Sequence, residues 1–132
     1  MPFRKHNRSY QINSPGKPSI LGSSDPAFRG DATRWNPEDL LLASLCACHH
    51  LWYLGLCAAA GIVVLAYEDA AEGMMVEEAS GAGQFVKVTL RPRVTLAPGS
   101  EKEKAQALHH IAHEKCFIAR SLNFPVDHDP VV

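Results

Sequence analysis

Net charge is the first thing this chain has little of: thirteen Lys and Arg stand against fourteen Asp and Glu in 132 residues, a formal charge of −1. No run of basic residues offers the electrostatic footprint that nucleic acid requires, so a nucleic-acid partner is not expected. The opening Met1-Pro2-Phe3-Arg4-Lys5-His6 lacks the apolar core of a signal peptide. The longest apolar stretch, Leu40 to Val64, is interrupted by Ser44, His49 and His50 and begins with a helix cap, which argues against a membrane span. A closed Cys-x-x-Cys knuckle is also missing, so no metal site is expected. Four cysteines without secretory signals are expected to be thiols rather than disulfides. These absences together point to a soluble, cytoplasmic protein.

What is present suits one globular domain over residues 1–132, with 46% apolar and 20% charged residues. A chain of this length buries roughly two-thirds of its unfolded surface, enough for a true core. Residues 1–35 are rich in turns. Asn13-Ser14-Pro15-Gly16-Lys17-Pro18 separates two short segments, Ser9 to Ile12 and Ser19 to Leu21, that suit a hairpin. At Asn36 the pattern sharpens: an N-cap, then Pro37 at the first helical position, then Glu38 and Asp39 facing the positive helix end. Nothing breaks the helix before Gly61, its C-terminal stop, so about 24 residues form a rod of roughly 36 Å. Leu40, Leu41, Leu42, Leu45, Leu51, Trp52, Leu54 and Leu56 occupy nearly every side of it. Such a helix must be covered all round, and a chain this small is expected to recruit a partner.

Strands are predicted next: Ile62 to Tyr67, Met74 to Val76 and Phe85 to Leu96, in an antiparallel sheet. Ser100 with Glu103 reads as a capping box that opens a second helix, whose apolar stripe is Ala105, Leu108, Ile111 and Ala112. That helix carries Cys116 near its end, and Asn123 to Val126 suits a short final strand. The expected class is α+β, a long central helix and a second helix packed on antiparallel sheet.

Helical geometry sorts the cysteines. Cys46 and Cys48 lie roughly 200° apart on one helix and cannot readily bond, while Cys57 is on the side opposite Cys48 and about 13 Å further along. Cys116 remains free to meet Cys48 from another element. Cys48 shares a stripe with Leu41, Leu45 and Trp52, so its surroundings are expected to be apolar. On the residues alone a cysteine there is more often an inert core residue than a nucleophile, and Cys46 and Cys57 are read that way.

Two motifs change the reading of Cys48. Asn36-Pro37-Glu38-Asp39-Leu40 with a cysteine twelve residues after the asparagine, and Ala112-His113-Glu114-Lys115-Cys116-Phe117-Ile118-Ala119-Arg120, together resemble the OsmC/Ohr family of thiol peroxidases. The resemblance spans about Pro26 to Val126. It implies an intertwined homodimer with sites at the subunit interface, reducing organic hydroperoxides and hydrogen peroxide without a cofactor. Cys48 falls on the peroxidatic position and Cys116 on the resolving one, implying a Cys48 sulfenic acid, a Cys48–Cys116 disulfide and reduction by an external dithiol or lipoyl-type reductant. Glu38 matches the glutamate that the family pairs with an arginine beside the reactive thiol. That arginine corresponds to Arg4 in Phe3-Arg4-Lys5-His6 or to Arg29 in Phe28-Arg29-Gly30-Asp31, depending on the branch of the family.

Physics constrains these roles. Cys48 is too far from the helix N-terminus to be activated by it, and apolar surroundings raise a thiol pKa, so a cation must be supplied. Glu38 is about 15 Å from Cys48 along the rod, so it is expected to act across a dimer axis. Leu45, His49 and Trp52 are expected around the substrate, with His49 at the pocket rim, and Leu41, Leu45, Leu51 and Trp52 favour an organic peroxide over hydrogen peroxide. His109 and His110 are read as partly exposed residues on polar helix faces. Two other readings stay open at this stage: a noncatalytic ligand-binding or redox-sensing relative, and a zinc protein using His109, His113 and Cys116 at helical spacing.

Overall fold

Asn36 starts the long helix as its sequence predicts. In the computed structural model, which describes residues 6–132, its Oδ1 accepts the Asp39 N–H at 2.7 Å, and α1 runs Pro37–Ala59 with Glu38 and Asp39 in the first turn. At the other end Gly61 takes φ +73, and the N–H groups of Gly61 and Ile62 donate to the carbonyls of Ala58 and Cys57 at 3.1 and 2.8 Å. This double closure needs a left-handed residue just past the helix, where glycine carries no Cβ penalty.

The described residues fall into two compact units, divided between Leu41 and Leu42. In the first, β1 (Tyr10–Ile12) pairs antiparallel with β2 (Ile20–Gly22), the hairpin expected from the turn sequence between them. The Arg34 guanidinium donates to the Gly22 and Tyr10 carbonyls, both at 3.0 Å, and Trp35 donates its N–H to the Leu21 carbonyl at 3.0 Å. A short 3-10 turn, Pro26–Phe28, is capped by the Asp25 carboxylate.

The second unit holds β3 (Val64–Asp69), β4 (Glu72–Glu77), β5 (Gly83–Leu90), β6 (Pro92–Leu96), α2 (Lys102–Lys115), α3 (Phe117–Arg120) and β7 (Val126–His128). The class is α+β, as expected, but the strand predicted over Phe85 to Leu96 is two strands. Pro92 has no N–H for a ladder, and the Arg91 N–H leaves the sheet to bond Asp69 Oδ1 at 2.7 Å. The chain therefore changes partners: β5 lies between β4 and β7, and β6 pairs with β3. The β5–β7 pair is parallel, not antiparallel, with Leu90 opposite His128. The helical crossover between β6 and β7 returns the chain in the same direction, which a tight turn cannot do.

The capping box does not form. Ser100 donates its hydroxyl to the Ala97 carbonyl and closes the turn after β6, while Glu101 occupies the N-cap without a side-chain bond. The buried face of α2 is also shifted: Ala105, His109 and Ala112 are buried, whereas Ile111 is exposed. On α1 the buried residues are Leu45, His49, Tyr53 and Cys57, one stripe at steps of four. Leu45 packs with Val88, Leu90 and Val126, and Tyr53 and Cys57 pack with Ala105, Ala112, Ile62 and Val94.

Much of α1 stays uncovered within the described chain. By length and composition it is apolar enough to cross a bilayer, yet only 22% of its most apolar window is buried. Leu51 is 69% exposed, and every residue of β4 is exposed, including Met74, Met75 and Val76.

Because Leu45 has no exposed surface and joins α1 to the β5–β7 pair, Leu45→Ala is expected to lower unfolding stability by about 2–5 kcal/mol. Urea denaturation followed by far-ultraviolet circular dichroism measures it, and a loss below about 1 kcal/mol would contradict this packing role.

Candidate active site

Cys48 sits mid-way along α1, where it stays half-buried while its neighbour His49 turns inward. A cleft of about 510 Å³ opens beside it, lined by Cys48, Leu51, Trp52, Gly55, Leu56 and Phe117. Five of these residues come from one stripe of α1, at the three- and four-residue steps that put side chains on a common face. Phe117 comes from the start of α3 and meets Trp52 edge-on, with centroids 5.7 Å apart and planes at 86°.

Cys116 reaches the same place from the far end of α2. It is the one-residue joint between α2 and α3, with an extended backbone (φ −65, ψ 112) that stops the first helix and starts the second. Its side chain is buried, and its thiol lies close enough to Cys48 for the two to affect each other's titration. Burial, and next that contact, push its pKa up to about 11, although backbone N–H groups of Ala119 and Ile118 pull the other way. Cys116 therefore carries its proton at neutral pH. All four cysteines are free thiols.

The other two are held inert. Burial first, and then the nearby Asp69 carboxylate, lift Cys46 to about 12, and burial raises Cys57. A thiol in such surroundings supplies almost no thiolate.

Two residues expected at the substrate lie elsewhere. Leu45 is in the core on β5 and β7, and His49 is fully buried rather than at the rim. Both lie on the α1 stripe that faces the sheet and α2, about a quarter turn or less from Cys48. Trp52 does line the cleft. His109, expected on a polar face, is fully buried as well: its Nδ1 lies 3.0 Å from His49 Nε2, and Tyr53 stacks on its ring at 3.8 Å. Burial moves His49 down to about 4 and His109 down to about 3, so both are neutral at pH 7. Each imidazole spends one nitrogen on the other. Among the described residues no three His, Cys, Asp or Glu side chains are placed to share a metal ion. His110 is exposed, as expected, and pairs with Glu114 at 2.9 Å.

Glu38 and Arg29 belong to the first unit, Glu38 in the first turn of α1 and Arg29 after the 3-10 turn with φ +65. Arg4 lies outside the described residues. Sequence reading missed Phe117 and Lys115, whose ammonium lies 5.7 Å from the centre of the Trp52 ring. Their one signal was position, on either side of Cys116.

The differences among the thiols predict their order of reaction. In the native reduced protein at pH 8, iodoacetamide is expected to label Cys48 at least about tenfold faster than Cys46, Cys57 or Cys116. Fragment-level mass spectrometry of the digested product reads this, and labelling of Cys46 at a comparable rate would contradict it.

Comparison with known proteins places this geometry. The profile of OsmC-like proteins matches residues 30–130. An OsmC-like protein of unknown function from Vibrio cholerae is 29% identical, with a TM-score of 0.88 over 97% of this chain and 87% of that one. An organic hydroperoxide resistance protein from Elizabethkingia anophelis is 22% identical, with a TM-score of 0.72 over 93% of this chain and 88% of its own. OhrB of Bacillus subtilis, also an organic hydroperoxide resistance protein, is 21% identical, with a TM-score of 0.64 over 93% and 97%. No curated protein matches the sequence. With the family profile spanning residues 30–130, the chain belongs to the OsmC-like protein family.

Proposed function

We propose that this protein is a thiol peroxidase that reduces organic hydroperoxides through Cys48 and Cys116. The observation that carries the reading is the closeness of the two thiols, Cys48 half-buried on the wall of an apolar cleft and Cys116 buried near it. Two structural neighbours named as organic hydroperoxide resistance proteins add support.

In the proposed cycle the Cys48 thiolate attacks the terminal peroxide oxygen of ROOH and the O–O bond breaks. The alkoxide takes a proton and leaves as ROH, and Cys48 becomes a sulfenic acid. Cys116 then loses its proton and attacks the Cys48 sulfur; hydroxide leaves as water, and a Cys48–Cys116 disulfide forms. A dithiol or lipoyl-type reductant returns both sulfurs to thiols with two electrons. Its buried position and raised pKa suit Cys116 to this second step, because it stays protonated until the sulfenic acid is beside it. Leu51, Trp52, Leu56 and Phe117 favour an apolar R group by removing its surface from water.

The cation beside Cys48 is assigned to Arg4 or Arg29, oriented by Glu38 of a second copy of the chain. An intertwined homodimer, in the cytoplasm, completes the reading. The exposed flank of α1 supports it, since so apolar a rod needs cover.

One equivalent of an organic hydroperoxide added to the reduced protein is expected to give a Cys48–Cys116 disulfide by peptide mass spectrometry. Cys48→Ser abolishes both the disulfide and peroxide consumption, and Cys116→Ser leaves a sulfenic acid on Cys48 that dimedone traps. Persistence of peroxide with both thiols reduced would end the proposal. Sedimentation of the active protein is expected to give a dimer; full activity in a monomer would remove the role of Glu38 across the axis.

A further inference from the structure

The His49–His109 pair is the feature that the proposed chemistry leaves unused. His49 comes from α1 and His109 from α2, both without exposed surface, and their facing nitrogens are 3.0 Å apart with rings 3° from parallel. Tyr53 stacks on His109 and donates its hydroxyl to the Ala105 carbonyl at 3.0 Å, so α2 is held to α1 at Ala105 and His109. The same two helices carry the thiols. Cys48 immediately precedes His49, and Cys116 follows His109 by two helical turns.

One proton serves the bond between the imidazoles. In either tautomer the far nitrogens, His49 Nδ1 and His109 Nε2, have no hydrogen-bond partner among the described residues. An added proton on the unpartnered far nitrogen of the donor ring leaves the 3.0 Å bond in place but makes a fully buried cation, and a further proton on the other ring takes away the acceptor and sets two cations face to face. The surroundings would not stabilise such a cation. From α1 the pair meets His50 and Tyr53; from α2, His113; from β7, His128, whose ring lies 6.0 Å from His49 and which in turn faces His110 and His113. Tyr67 of β3 faces Tyr53. Among the described residues no carboxylate acts on either ring of the pair, while Asp127, beside His128, pairs with Lys87 at 3.8 Å and Glu114 pairs with His110 at 2.9 Å. When these histidines charge together they repel one another.

We propose that the His49–His109 pair is an acid-sensitive latch that holds α2 on α1, and that its protonation releases α2 and withdraws Cys116 from Cys48. His49 and His109 are thus positioning residues for the thiol contact. The functional consequence rests on the peroxidase reading: in acid, a Cys48 sulfenic acid would wait for its resolving thiol. The latch itself does not rest on it, because α2 would open in the reduced protein without peroxide.

The sign follows from linkage. Both groups are held below the ordinary histidine value in the closed form and return to it, about 6.5, in the open form. The closed form is therefore fully favoured above pH 6.5 and loses ground as pH falls from there toward about 4, where His49 itself charges. Each proton taken up on opening multiplies the open population about tenfold per pH unit in that window.

Hydrogen exchange of α2 amides in the full reduced chain, corrected for the intrinsic pH dependence, reads the opening between pH 6.5 and 5. Opening is expected to rise about tenfold or more per pH unit, with faster labelling of Cys116 by a dithiodipyridine, which reacts with thiols in acid. His49→Gln with His109→Asn keeps a hydrogen-bonding group at Nε2 and Nδ1 but cannot titrate; its α2 exchange is expected to be flat over the same range. A flat wild-type profile, or an equally steep one in the double variant, would overturn the latch. Nitrogen-15 imidazole spectra of the unsubstituted protein give a second decision if the variant does not fold. Two imidazoles that stay neutral at pH 5.5 while α2 is closed support the latch, and two charged at pH 6 overturn it. Loss of peroxide reduction with the latch intact would instead count against the peroxidase alone.

Discussion

The seam between α1 and α2 is the constraint on which the second unit depends. Beside the apolar packing of Tyr53 and Cys57 on Ala105 and Ala112, the seam carries polar contacts: an imidazole pair, a tyrosine stacked on it and a hydroxyl bonded to a backbone carbonyl. Apolar packing tolerates sliding, whereas a buried hydrogen bond broken inside the protein leaves its polar groups unsatisfied at about 1–3 kcal/mol each. The seam therefore fixes the register of α2 along α1. Since Cys48 and Cys116 hang from those helices beyond it, the distance between the thiols is set there.

The same division of faces explains the cleft. Leu45, His49, Tyr53 and Cys57 turn inward at steps of four. The residues between them, Cys48, Leu51, Trp52, Gly55 and Leu56, face away and wall an apolar cleft. One helix thus separates a tightly packed side from the side that opens to the cleft across about a quarter turn. Cys46 and Cys48, two residues apart, fall in opposite environments: one thiol is raised to about 12 by burial and a carboxylate, and the other opens to the cleft. The described residues leave apolar surface exposed on α1 and β4, which the proposed dimer would cover.

Asn36, Pro37, Gly61 and the turn residues of the first hairpin each act through one or two residues. The first three bound α1 through a cap, a fixed φ and a left-handed turn. The β1–β2 hairpin followed from its turn residues in the same way. Ser100 and Glu103 failed because a serine hydroxyl can satisfy a turn carbonyl as well as a helix end, and the turn after β6 took it. Pro92 was visible as a ladder breaker, but its effect depended on Asp69 of β3 arriving to accept the Arg91 N–H.

The sequence by itself determined that there would be a long apolar helix with Cys48 at its middle, a second helix ending at Cys116 and an α+β architecture, because helix caps, periodicity and breakers act over a few residues. Only the tertiary structure decided which face of each helix went inside. Hydrophobic pattern could not place His49 and His109 in the core, since a lone histidine at a buried position becomes acceptable only when another element presents its hydrogen-bonding partner. That partner lies sixty residues away in the chain and 3.0 Å away in space. The parallel return of β7 and the meeting of Cys48 with Cys116 are decided in the same way, by contacts between distant segments that neither segment encodes alone.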